Sequence, residues 1–229
     1  MRLLAFETAT RRLSVALWQD GELIERAEEL PNGGSETLLP WVHELLADAG
    51  ATLAQIDGIT FGSGPGGFTG LRLACGVAQG LAYGLDLPVV PVSTLEALAL
   101  ASGERDVWAC LDARMNEVYG AAYRVDGETV SQLMAPVCMP PAVAPAPTFT
   151  GGWGVGDGFG SYRQLLRAQK PDLEGVRADV FPTAAAVARL AAPAFARGAG
   201  VEAALAQPVY VRNKVAWTTV ERIARGGAK

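Results

Sequence analysis

The sequence predicts an α/β protein made of two related units, each a three-stranded meander continued by alternating strands and helices. Three observations carry this. The order strand, acid, strand, Asp-Gly turn, strand occurs twice, about 105 residues apart, first around Glu7 and Asp20-Gly21, then around Asp112 and Asp126-Gly127. Between and after the meanders, hydrophobic periodicity switches from two to about 3.6 residues. The 229 residues are 50% hydrophobic and 19% charged, enough apolar matter to bury a core and too much for a disordered chain.

Residues 3–7 are an apolar strand, and in 13–18 Val15 and Leu17 alternate as a second strand should. Asp20-Gly21 is a hairpin signal leading into a third strand over 22–30, and Pro31-Asn32-Gly33-Gly34 ends the meander. Leu38, Leu39, Val42, Leu45, Leu46 and Ala49 recur at helical spacing, giving a helix over 35–49 with Gly50 as its stop. Pro40 predicts a kink or a later start. A strand over 56–61 runs into the loop 62–67, and Thr69 is the expected cap of a helix reaching Gly84. A strand over 87–92 and a helix capped by Ser93 complete the first unit, bounded at residue 103.

The second unit, 104–229, opens with strands over 107–112 and 117–125, the latter followed by its own hairpin turn, Asp126-Gly127. The proline-rich stretch to Pro147 reads as a connection. Helices are expected near Ser161 and over 183–192, a short strand over 208–212, and a polar helix over 216–225 that packs back on the first unit.

Composition excludes several activities. The single histidine, His43, is followed by Glu44, but Ala47 breaks the zinc-protease spacing. Ser63 has Phe61 rather than glycine two residues before it, so no nucleophile elbow exists. His43 is expected to be a structural residue of its apolar helix. Cys75, Cys110 and Cys138 form neither a disulfide framework nor a metal knuckle. No stretch spans a membrane, and no signal-peptide core precedes Glu7, which points to the cytoplasm. Residues 1–100 carry 5 basic against 12 acidic side chains, a poor nucleic-acid surface.

The loop from Gly62 through Gly64 and Gly66 to Gly67 lies between a strand and a helix. It is either a set of backbone amides cradling an anion or a tight turn before a closely packed helix. It lacks the Lys of a Walker loop, and Asp86 falls on the wrong element for a dinucleotide site. The helix beyond it has no charge between Leu73 and Leu85, with Gly76, Gly80 and Gly84 at four-residue spacing beside Leu73, Val77 and Leu81. Interior glycines cost about 0.5–1 kcal/mol each, so this stripe needs a packing reason. Ordinary core packing and a partner interface both supply one. The 35–49 helix adds Trp41 outside its main stripe, a second surplus of apolar surface.

Glu7 and Asp112 end equivalent strands, where a carboxylate could hold Mg²⁺ through water or simply cap the strand. Glu7-Thr8-Ala9-Thr10 lacks the glycine that would let backbone approach a phosphate, so the first site reads as degenerate. An ATPase or small-molecule kinase using Glu7, Asp112 and the loops around Gly66 and around Gly156 and Gly158 is the alternative.

Taken together, these motifs resemble the TsaB (YeaZ) family nearly end to end. The resemblance rests on Leu4-Ala-Phe-Glu-Thr-Ala-Thr10, Ser35-Glu-x-Leu-Leu-Pro40 and Gly62-x-Gly-Pro-Gly-x-Phe-Thr-Gly-Leu-Arg72. Leu111-Asp-Ala-Arg114, Glu117-Val-Tyr119 and Pro208-Val-Tyr-Val-Arg212 extend it, while Glu7 replaces the usual Asp. It implies an actin-like, RNase H-type fold and a non-catalytic subunit in tRNA threonylcarbamoyladenosine synthesis, with no metal or cofactor of its own. It further implies dimerisation with the catalytic paralogue TsaD, which carries the metal-binding histidines, and homodimerisation alone. The ATPase TsaE joins, ATP or ADP lies at the complex interface, and tRNA is reached only through the complex. The implied docking residues are Leu38, Leu39, Trp41, Val42, Leu45, Leu73, Gly76, Val77, Gly80, Leu81 and Gly84. Glu7, Thr8, Gly64, Gly66, Gly67, Asp112, Gly156 and Gly158 would be remnants of a nucleotide site.

Overall fold

The computed structural model describes residues 1–30 and 34–212. Strands β1 (Arg2–Glu7), β2 (Arg12–Gln19) and β3 (Glu22–Glu29) form the first meander. Helix α1 (Ser35–Asp48), β4 (Gly58–Gly64), α2 (Phe68–Leu85), β5 (Val89–Ser93) and α3 (Thr94–Ser102) follow. The second half holds β6 (Asp106–Asp112), β7 (Val118–Asp126), β8 (Thr129–Met139), β9 (Trp153–Val155), α4 (Asp157–Gln169), β10 (Gly175–Arg177) and α5 (Ala184–Ala196).

Both sheets have the same order. The first runs β3-β2-β1-β4-β5 and the second β8-β7-β6-β9-β10, with an antiparallel meander and a parallel edge in each. Alternation along the central strands decides which face each residue serves. On β1, Leu4 and Phe6 join the core under α1 and α2, while Ala5 faces α5. On β6, Val107, Ala109 and Leu111 pack toward α3, and Trp108 and Cys110 toward α4.

Neither half covers its own sheet unaided. Helix α3, from the first half, packs on β6, β7 and β8, and α5, from the second, packs across β1, β2, β4 and β5. These two helices form the layer between the sheets, filled by small side chains such as Ala184, Ala188 and Ala191. No helix among the described residues is long and apolar enough to cross a membrane.

Several expectations change. Helix α1 begins at Ser35 despite Pro40, since Gly34 ends the preceding chain in the left-handed region. Gly67, not Thr69, caps α2, and no side chain takes part. Ser93 does cap α3, accepting the Glu96 amide at 3.4 Å. Strand β8 runs into the proline-rich stretch because an edge strand leaves one side of its ladder free for Pro136. The short strands β9 and β10 carry too few residues to show a period. Helix α4 starts at Asp157, earlier than expected, with a break at Tyr162. Residues 208–212 are not a strand but an extended strap. The expected 216–225 helix lies outside the described residues. His43 is exposed rather than packed into the core.

Candidate functional site

A cleft of about 820 Å³ opens between the two sheets at the C-terminal ends of β1, β4 and β6. Thr8, Gly66, Gly67 and Asp112 line it, with Arg11, Phe68, Arg114, Asp157 and Ser161. Glu7, Gly64, Gly156 and Gly158 do not reach it.

Glu7 is fully buried behind the cleft floor. Its carboxyl accepts the Ala9 amide at 2.7 Å and the Thr94 hydroxyl at 3.2 Å. Burial pushes its pKa up to about 7 against these two bonds, which favour the charged form. Asp112 is spent on local ties, accepting the Arg114 amide at 2.8 Å and the Ser161 hydroxyl at 3.0 Å. Its own amide donates to Asp157, whose carboxyl burial raises above the ordinary range. Among the described residues no group of three or more His, Cys, Asp or Glu side chains could hold a metal ion.

The glycine loop settles as a close-packed turn. A Cβ on Gly62 would overlap the Glu7 carboxyl, one on Gly66 would sit 2.6 Å from the Ala9 Cβ, and one on Gly70 would overlap the Thr8 carbonyl. The Gly67 amide, which an anion cradle would need free, donates to the Ala9 carbonyl at 2.7 Å. Gly156 and Gly158 in the second half likewise make room for the Cys110 backbone. The chain's own backbone therefore takes the Gly67 amide and crowds Gly66 and Gly70, although the loop still lines the cleft.

Helix α2 differs on its outer side. Leu71, Ala74, Cys75, Ala78 and Ala82 face the sheet, while Gly76, Gly80 and Gly84 are exposed, and among the described residues a Cβ on any of them would meet no atom within 4 Å. Leu39, Leu73, Gly76, Val77, Gly80 and Leu81 line an apolar groove of about 400 Å³ with Arg72 at its edge. Leu39 is 52% exposed and Tyr83 83%. Trp41 is half-buried against the core under α1. Leu38, Val42 and Leu45 are corrected: they are buried against the sheet and offer nothing to a partner. Helical spacing marks an apolar face but not which of its residues the chain consumes.

Residues 208–212 make contacts on both sides of the cleft. The Val209 amide donates to the Ser63 carbonyl at 2.7 Å, Tyr210 packs on Phe68, and Arg212 bonds Glu117 at 2.6 Å. The signal was there, since Arg72, Glu117 and 208–212 all stand in specific motifs, but separations beyond 90 residues hide their contacts.

Two duplicated meander sheets exchanging their helices, with a cleft between them, define an actin-like (RNase H-like) fold. A family model described as TsaD: tRNA N6-adenosine threonylcarbamoyltransferase matches residues 32–152. The tRNA threonylcarbamoyladenosine biosynthesis protein TsaB of Escherichia coli (strain K12) is 37% identical over 95% of this chain and 97% of its own length. Its counterpart in Haemophilus influenzae is 36% identical over 95% and 96%. The solved structure of YeaZ from Pseudomonas aeruginosa superposes with a TM-score of 0.84 at 39% identity, covering 91% of this chain and 99% of that one. The chain belongs to the TsaB (YeaZ) family.

Proposed function

We infer that this chain serves tRNA threonylcarbamoyladenosine biosynthesis as a non-catalytic cytoplasmic subunit, docking on the catalytic paralogue TsaD through the outer face of α1 and α2. The observation carrying this reading is the exposed glycine stripe beside an apolar groove: three helix-weakening residues that nothing among the described residues packs against. Close approach of another helix is the physical use for such a stripe. The names of the relatives supply the pathway. The same face pairs two copies when TsaD is absent; TsaE joins the complex, which holds any ATP or ADP at its interface and carries the tRNA.

Mixed at micromolar concentration, this chain and TsaD of the same organism should co-elute as a heterodimer; separate elution overturns the reading. Gly80→Arg should abolish co-elution at an unchanged melting temperature, because among the described residues no atom lies within 4 Å of the added Cβ. An ATPase or kinase reading requires free amides at Gly66 and Gly67. Calorimetry showing tight Mg-ATP binding by the isolated chain would favour it instead.

A further inference from the structure

The strap that follows Leu205 connects the two walls of the cleft by contacts of two kinds. At its near end the contacts are to the backbone and to α2. The Ala206 carbonyl accepts Gln79 Nε2 at 2.9 Å and the Cys75 thiol at 3.4 Å. The Val209 amide bonds Ser63, and the Val209 carbonyl lies so near Gly64 that a Cβ there would sit 2.7 Å away. Tyr210 then stacks on Phe68 at 5.8 Å between ring centres. Arg72 lies over Phe68 at 3.8 Å and donates to the Tyr210 hydroxyl at 3.3 Å.

At the far end Val211 packs against the core of the opposite lobe and Arg212 makes the polar hold on its wall. Arg212 reaches Glu117 through Nη2 at 2.6 Å and Nε at 3.0 Å, and Nη2 also donates to the Ala113 carbonyl at 2.8 Å. The turn it grips is strained: Arg114, Met115 and Asn116 are consecutive non-glycine residues at φ 59°, 55° and 60°. A guanidinium bound to both the turn's carbonyl and its carboxylate helps to keep this turn in place.

We propose that residues 206–212 are a latch that sets the width of the interlobe cleft, permanently seated on the first lobe and releasable from the second at the Arg212–Glu117 pair. Removing the guanidinium frees the strained turn and one cleft wall together, while the backbone contacts of the near end persist. Arg72 also lines the docking groove, so a partner filling that groove meets the side chain that holds Tyr210. This last link rests on the docking role proposed above; the latch itself does not.

Hydrogen exchange and X-ray scattering on the full chain test the latch. In Arg212→Ala, exchange over 113–118 should rise about tenfold and the radius of gyration should increase, with the Val209 amide and the β1 and β4 amides keeping their protection. The charge swap Glu117→Arg with Arg212→Glu should restore both readouts toward wild type. Unchanged exchange and scattering in Arg212→Ala overturn the latch, as does loss of protection spread into β1 and β4. Glu117→Gln, a milder change, should shift exchange over 113–118 in the same direction and less. For the groove link, exchange over 113–118 is compared in the free chain and in the TsaD complex. No difference in a formed complex removes that link alone, whereas failure to form the complex removes the docking reading and leaves the Arg212→Ala result standing.

Discussion

Two sets of glycines at four-residue spacing sit on neighbouring segments and do opposite things. Gly62, Gly66 and Gly70, from β4 into α2, are crowded by the end of β1 and the loop after it: a Cβ on each would strike Glu7, Ala9 or Thr8. Gly76, Gly80 and Gly84, further along α2, meet nothing among the described residues. The first set exists so that two parts of this chain can approach closely. The second carries a helix penalty at every position, with no return among the described residues. Identical spacing thus serves an internal contact in one place and an exposed surface in the other, and only the neighbours distinguish them.

Substitution should separate the sets by sign. Gly70→Ala forces a methyl into the Thr8 carbonyl, which is backbone and cannot swing aside. It should cost about 3 kcal/mol, the upper range of overpacking, read by urea unfolding.

Glu7 gives the next largest effect. Its folded pKa of about 7 lies above the value of 4.5 for an unperturbed Glu, so the folded state holds a proton that the unfolded state releases first. Stability should therefore be highest below pH 4.5 as far as this group is concerned. It should fall by about 3 kcal/mol as pH rises to 7, then level off. Glu7→Gln should remove that slope; a slope unchanged in Glu7→Gln would assign it to other groups.

Gly62 and Glu7 are further expected to be coupled. Gly62→Ala should be strongly destabilising with Glu7 present and much less so in Glu7→Ala, a coupling of about 1–2 kcal/mol in a double-mutant cycle. Additive effects would show that the two do not compete for space.

The smallest effect has the opposite direction. Gly80→Ala should raise stability by about 0.5–1 kcal/mol, because it removes the helix penalty without meeting an atom of the described residues. If Gly80→Ala instead destabilises the isolated chain, the contrast between the two sets fails.

Much of the architecture was legible in the chain itself. Alternation and the Asp-Gly turns exposed both meanders, and the acid at the end of each first strand exposed the duplication. These are local signals, set by a period of two or by one turn's geometry. Residues 153–155 and 175–177 were not legible, because three residues carry no period and their strands exist only through the neighbours that pair with them. The same limit governed the site. Periodicity placed Leu38 and Leu39 on one apolar helix, yet one is buried and the other 52% exposed, a difference set by how far α1 sinks into its sheet.

By itself, then, the sequence determined the α/β class, the repeat, helices α1 and α2 as elements and the family resemblance, all carried by patterns within short windows or by whole motifs. The tertiary structure decided which glycines are spent internally, why the loop at Gly67 offers no free cradle, and that 206–212 joins the two lobes. Those depend on contacts between residues up to more than a hundred positions apart, whose distances no local pattern encodes.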